Sequence, residues 1–181
     1  MLVYGPTQLA NAFRTVRKNT VRIAEDIPED KYDFVPAPGA RSVRELLCHI
    51  AFAASFQEDV HRVKRLSTLQ GYDFGAFGRE TQAREGGTRS KAEIIELLET
   101  RGADFAGWLE SLSPEFLAET VTDPSGQNPR SRLEMLMAAK EHEMHHRGQL
   151  MLIERMLGVV PHLTRQRLER MQARERQAAA V

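Results

Sequence analysis

With 181 residues, the chain has the length of one domain that buries about 70% of its unfolded surface, and it is short for two. Hydrophobic residues at 41% and charged ones at 28% exclude an intrinsically disordered protein. The 25 basic residues balance 25 acidic ones, so no overall field favours nucleic acid or an anionic membrane.

Cys48 is the single cysteine, which excludes an intramolecular disulfide and fits a reducing, cytoplasmic setting. The N-terminal MLVYGPTQ has neither a basic nor an apolar signal region, and no apolar run approaches the roughly 18–20 residues that span a bilayer. A soluble, cytoplasmic protein is expected, with a bundle over residues 1–160 and a basic helical extension over 161–181.

The first periodic segment runs from about Thr7 to Asp26, where Leu9, Phe13, Val16, Thr20, Ile23 and Ile27 recur at helical spacing. Pro28 and Pro36-Ala-Pro38-Gly39 end it and form a connection. Ser42-Val-Arg-Glu45 is a capping box, in which serine and glutamate side chains satisfy free backbone N–H groups. It opens a second helix expected to reach about Leu66, with His49 on the same face as Leu46, Ala53, Phe56 and Val60. Residues 67–89 hold five glycines and no sustained period, so a long loop with room for a turn of helix is expected. Its Tyr72, Phe74 and Phe77 suit either a plug for one end of the core or a pocket wall, the plug being favoured.

A second capping box, Ser90-Lys-Ala-Glu93, starts a third helix with the stripe Ile94, Leu97, Leu98, Arg101, Phe105, Trp108, Leu109 and Leu112. Residues 114–128 read as a loop with a turn at Asp123-Pro-Ser-Gly126. The fourth helix starts near Asn128-Pro129, carries Ser131-x-x-Glu134 as a third candidate box, and ends at Leu157-Gly158. Beyond it, Arg165, Arg167, Arg170, Arg174 and Arg176 alternate with Glu169 and Glu175 in a segment expected to be a solvated helix. No strand-like alternation is visible. The fold class is therefore all-α, an antiparallel four-helix bundle with an additional short C-terminal helix.

Chemistry concentrates in Lys140-Glu-His-Glu-Met-His-His-Arg-Gly-Gln-Leu150. His142 and His146 lie four residues apart, ~40° from each other on a helical wheel, the usual spacing of two imidazoles on one metal. Both fall in the apolar stripe with Met135, Ala138, Gln149 and Ile153, where a polar group needs a partner. His49 on the facing helix would complete a three-histidine site; spacing alone leaves hydrogen-bonded core histidines equally open. The same residues spell H-E-x-x-H, with Glu143 where a metalloprotease keeps its general base. The longer protease pattern fails, since positions 149 and 152 are Gln and Leu, and no substrate-aligning strand precedes the motif.

Two stretches carry a resemblance. Pro36-Ala-Pro38-Gly39-Ala-Arg-Ser42-Val-Arg-Glu45-Leu-Leu-Cys-His49-Ile-Ala and His142-Glu-Met-His-His146-Arg-Gly-Gln149-Leu resemble the two signatures of the DinB-like proteins, over roughly residues 5–157. The resemblance implies a four-helix bundle in which His49, His142 and His146 bind a divalent metal and leave positions open for water or substrate. It is a resemblance to a superfamily that includes bacillithiol- and mycothiol-dependent transferases. The expected activity is a metal-dependent thiol S-transferase acting on a small molecule, with a metal-dependent hydrolase or a non-catalytic metal-binding bundle as alternatives. Zinc is the first expectation for the ion; nickel, iron or copper also suit imidazole.

Around these ligands, Gln149 is expected to orient an imidazole or touch substrate. His145, three residues from His142, is a weaker ligand candidate than the i,i+4 residue and is placed just outside the ligand set or against substrate. Glu45 is expected to cap its helix, with a supporting role at the metal as the other option. Gly148 reads as a point of close helix approach, and Cys48 as a buried core thiol. Apolar helix faces on more than one side would also let two copies pair as a homodimer.

Overall fold

The computed structural model describes residues 4–179. Four long helical segments form the bundle: α1 (Pro6–Asp26), α2 (Val43–Phe52) with its continuation, α5 (Lys91–Glu110) and α7 (Arg132–Met156). Helix α1 packs chiefly against α5 and α7, and α2 against α5, the helix over Phe74–Glu85 and α7, so the two helices adjacent in sequence stand at opposite corners. The 16-residue connection 27–42 makes that crossing feasible, with Tyr32 fully buried and its hydroxyl donating to the Ala24 carbonyl at 2.7 Å. Two helices run each way: α1 and α7 in one direction, α2 and α5 in the other, as the partners in the two core layers require.

The core is two apolar layers with a charged one between. One layer joins Ile23, Leu47, Ile50, Leu98, Leu150 and Ile153; the other joins Leu9, Phe13, Phe105, Leu109, Leu136 and Ala139. Between them Arg17 and Glu143 form a buried pair, with side-chain exposures of 6% and 0%. The Arg17 guanidinium donates through Nε to both Glu143 oxygens at 3.0 and 3.1 Å and through Nη2 to Oε2 at 3.0 Å. Its remaining N–H groups reach the carbonyls of Leu98 (2.8 Å) and Ile50 (3.2 Å). All four bundle helices thus meet at one guanidinium, whose fork geometry allows such multiple donation. Gly102 on α5 makes room for it, because a Cβ there would stand 2.6 Å from Arg17 Cγ.

Capping chemistry sets three helix starts as expected. Ser42 and Ser90 form complete capping boxes with Glu45 and Glu93. Ser131 caps α7 by accepting from the Glu134 N–H at 3.1 Å, but Glu134 does not return the bond, so the third box is half made.

Four elements depart from the sequence reading. The second helix does not run to Leu66: α2 stops at Phe52, a short turn α3 (Ser55–Gln57) follows, and Glu58–Val63 form a π-type turn. The break is stabilised from outside, since Arg101 on α5 donates to the Ala51 carbonyl (3.0 Å), Ser55 Oγ (3.2 Å) and Glu58 Oε2 (2.6 Å). The stretch 67–89 is not all loop, for it contains α4 (Phe74–Glu85), started by the Asp73 carboxylate accepting from the Ala76 N–H at 2.7 Å. A short helix α6 (Pro114–Ala118) and a two-residue antiparallel ladder of β1 (Thr120–Val121) with β2 (Arg130–Ser131) occupy the segment before α7. The Asp123 turn lies between these strands, its Oδ1 accepting from the Ser125 N–H at 2.9 Å.

Tyr72, Phe74 and Phe77 gather around Phe56, with ring centroids 5.6, 6.0 and 5.7 Å from it, and so dock α4 onto the broken end of α2. The tail forms α8 (His162–Ala179), held to α1 by a His162–Asn19 hydrogen bond of 3.1 Å and an Arg165–Asp26 ion pair of 2.5 Å. Among the described residues, no helix is long and apolar enough to cross a membrane.

Candidate metal centre

Helix α7 turns its buried face inward through Leu136, Ala139, Glu143, His146, Leu150 and Ile153. That phase differs from the one centred on His142: the middle of the face is Glu143, and His142 sits at its edge toward α2. Glu143, which follows the first histidine of the H-E-x-x-H string, shares the buried face with His146, but its carboxylate is spent on Arg17. Its position in the core excludes the general-base role of the protease motif.

The three histidines do come together. His49 near the C-terminal end of α2 and His142 and His146 on α7 each offer a nitrogen, and these atoms lie within 4.8 Å of one another. His142 Nε2 is 3.3 Å from His49 Nε2 and 2.8 Å from His146 Nε2. Burial alters their proton affinity. Desolvation first, then the charges of His146, His49, His145 and Arg41, lower the His142 pKa to about 4. Desolvation likewise lowers that of His146, opposed by the hydrogen bond that His146 donates to Gln149. At neutral pH both are therefore uncharged, the form that binds metal.

Their outer nitrogens have fixed partners. His49 Nδ1 donates to Glu85 Oε1 at 2.9 Å, and a carboxylate can only accept, so the proton of neutral His49 is on Nδ1 and its Nε2 is a bare lone pair. His146 Nδ1 donates to Gln149 Oε1 at 2.8 Å, which leaves its Nε2 bare as well. A neutral His142 can send one proton toward only one of these two acceptors. At least one close N···N contact is thus lone pair against lone pair, which is repulsive unless a cation lies between. Tetrahedral coordination at a zinc–nitrogen distance near 2.05 Å separates ligand nitrogens by roughly 3.3 Å. The His49–His142 separation of 3.3 Å matches this, whereas the His142–His146 contact of 2.8 Å is shorter and would have to open by roughly 0.5 Å to hold an ion. The donor set fits a divalent ion of the zinc, nickel, iron or copper class.

The supporting residues divide. Gln149 holds His146 as described, and its Nε2 is 3.3 Å from His145 Nε2, which leaves His145 exposed and outside the cluster. Glu45 is engaged in the box with Ser42 (2.8 Å to the Ser42 N–H), although it lines the same cleft as His49. Cys48 is buried, with a thiol pKa raised by desolvation. Gly148 is open, with nothing within 4 Å of a Cβ, so close helix packing does not explain it. Glu85 escaped the sequence reading because its helix did; the one local signal was Asp73 as an N-cap three residues before Ala76.

Three clefts meet at the histidines. One of about 490 Å³ is lined by Arg41, His49, Phe77, Gln82 and Glu85, and one of about 330 Å³ lies between Phe52, Phe56, Phe77 and His142. The third, about 710 Å³, runs from His146 and Gln149 along Pro36, Leu46, Leu152 and Met156.

The family model described as the DinB superfamily matches residues 12–150. The chain belongs to that superfamily. The Bacillus subtilis (strain 168) protein YjoA is 28% identical over 153 residues, covering 83% of this chain and 90% of YjoA. The crystal structure of YjoA, a DinB-like protein, superposes with a TM-score of 0.61 at 24% identity over 83% of this chain and 92% of that one. YfiT of Bacillus subtilis, described as a probable metal-dependent hydrolase with an unusual four-helix bundle topology, gives 0.64 at 16% identity over 85% and 88%. An uncharacterized protein of Clostridium difficile 630 gives 0.65 at 12% identity over 86% and 98%. At these identities the structural matches establish the shared bundle.

Proposed function

We propose that His49, His142 and His146 hold a divalent ion, zinc in the first instance, and that the protein is a metal-dependent thiol S-transferase. The observation that carries the metal is the convergence of bare imidazole lone pairs whose outer nitrogens are tied to Glu85 and Gln149. When bound, an ion held by three neutral imidazoles keeps its full double charge and lowers the pKa of a thiol or water that joins it. In the proposed reaction a low-molecular-weight thiol gives up its proton to solvent water, its sulfur bonds to an electrophilic carbon, and the leaving group departs with the electrons of the carbon–leaving-group bond that breaks.

The roles of the chain follow from its geometry. Glu85 and Gln149 fix the tautomer and ring orientation of His49 and His146. Phe52, Phe56 and Phe77 keep the side toward α4 apolar and restrict water there. Support for a thiol comes from the carboxylates near the cluster. Glu85 is committed to His49, Glu45 to its cap and Glu143 to Arg17, so no described carboxylate is left to shuttle protons to and from water. A hydrolase is the second reading, favoured by the bundle likeness to YfiT with its probable metal-dependent hydrolase description.

Metal analysis of wild type and His146→Ala tests the ligand set, with about one ion per chain expected in the first and a clear loss in the second. Equal metal content would remove His146 from it. Cobalt-substituted protein titrated with small thiols should develop a sulfur-to-metal charge-transfer band. If no thiol gives a band and no electrophile is consumed, the transferase reading is lost.

A further inference from the structure

Arg41 stands at the junction of two of the clefts. It lines the one containing His49 and also the apolar one along Pro36, Leu46, Leu152 and Met156. Its place is set by the loop before α2: Ala40 closes a turn onto the Ala37 carbonyl at 3.0 Å, and Ser42 immediately after it is the helix cap. Arg44, three residues on, pairs with Asp33 at 2.8 Å, whereas Arg41 has no ion-pair or hydrogen-bond partner among the described residues. Glu45, in the first turn of the helix that follows, and Glu85 line the same cleft, but the first is hydrogen-bonded by Ser42 and the second by His49. Neither is paired with the Arg41 guanidinium, whose donors stay free for an anion.

The adjoining cleft has the opposite character. Leu152 and Met156 are 60% and 51% exposed on its wall, apolar surface left in water within a concavity of about 710 Å³. Such a volume suits a small ligand, and polar groups at one end with an apolar wall at the other fit an amphipathic one.

We infer that this site selects a small amphipathic carboxylate: the carboxylate pairs with Arg41, an apolar arm lies along Leu152 and Met156, and the reacting group reaches the histidines. The inference names the substrate class for the activity proposed above and rests on that reading for the reacting group alone. Arg41 is then a specificity-determining residue, and Leu152 sets the apolar preference. Neither is buried, so replacing them leaves the core intact.

The test uses zinc-loaded protein and calorimetry with four probes: 2-benzyl-3-sulfanylpropanoate, its primary amide, 3-phenylpropanoate and its primary amide. Each acid should bind wild type about tenfold more tightly than its amide, the size of one charge-assisted pair in a partly exposed site. In Arg41→Gln each acid should fall to the level of its amide. Leu152→Gln should weaken acid and amide alike, and thermal melting of both variants should match wild type. Acids and amides binding wild type equally, or none of the four binding, would overturn the inference. So would an acid preference that survives in Arg41→Gln, because the metal would then be holding the carboxylate. The sulfur is read separately. If the thiol probes bind no better than the phenylpropanoyl pair, the thiol reading fails while the Arg41 assignment stands.

Discussion

Glu143→Gln separates the two meanings of the H-E-x-x-H string. In the structure Glu143 is fully buried and neutralises Arg17, which is itself 5% exposed and also holds the carbonyls of Leu98 and Ile50. The amide keeps the shape and one acceptor but removes the negative charge, so a guanidinium is left buried without a counter-ion. Breaking one side of such a pair costs about 3–5 kcal/mol. With an unfolding entropy near 2.1 cal/mol/K per residue, a chain of 181 residues loses Tm by about 8–13 °C for that change. The assay is thermal melting by circular dichroism, alongside metal content measured well below the transition. The expected result is a large fall in Tm with metal content unchanged, and recovery of most of the loss in the apolar double variant Arg17→Met, Glu143→Leu. A Glu143→Gln protein that melts like wild type but has lost turnover would refute the reasoning and restore Glu143 as a catalytic base.

Gly102→Ala should lower stability by about 1–3 kcal/mol despite alanine's helix preference, because its Cβ meets Arg17 Cγ at 2.6 Å. Gly148→Ala, with open space around the Cβ, should raise stability by up to about 1 kcal/mol; equal effects in melting curves would contradict this. Glu85→Ala should weaken zinc binding by about 10–100-fold in competition with a chromophoric chelator, as His49 loses its orienting carboxylate; unchanged affinity would remove Glu85 from the site. Glu154 is fully buried and both its oxygens lack partners, and desolvation with the nearby Asp26 raises its pKa to about 7. The folded state therefore holds more protons than the unfolded state between about pH 4.5 and 7, so this group's contribution to stability falls as pH rises through that window. Glu154→Gln should abolish that slope and melt higher than wild type above pH 7, by on the order of 3 kcal/mol. A pH-independent difference between the two proteins would show that Glu154 titrates normally.

What could be read in the sequence was local. The capping boxes at Ser42 and Ser90 and the stripes of α1, α5 and α7 depend on residues three and four apart, and those relations survive folding unchanged. The pair His142 and His146 was visible for the same reason, and His49 became its partner once two neighbouring signatures were set beside it. The helix α4 was hidden because five glycines and a weak apolar pattern describe its region, and its formation leans on Phe74 and Phe77 docking on Phe56.

Only the tertiary structure decided the rest, because the deciding contacts join residues far apart in the chain. The end of α2 at Phe52 is invisible locally: it depends on Arg101 from another helix taking a carbonyl that the break leaves. The phase of α7 differs from its apolar periodicity because a carboxylate counts as a solvent-facing residue until its partner is known, and that partner, Arg17, is 126 residues away. The sequence by itself determined that two imidazoles share one face of a helix. Packing determined which face is the core, placed Glu85 behind His49, and thereby left bare lone pairs converging on one point, a result that no periodicity encodes.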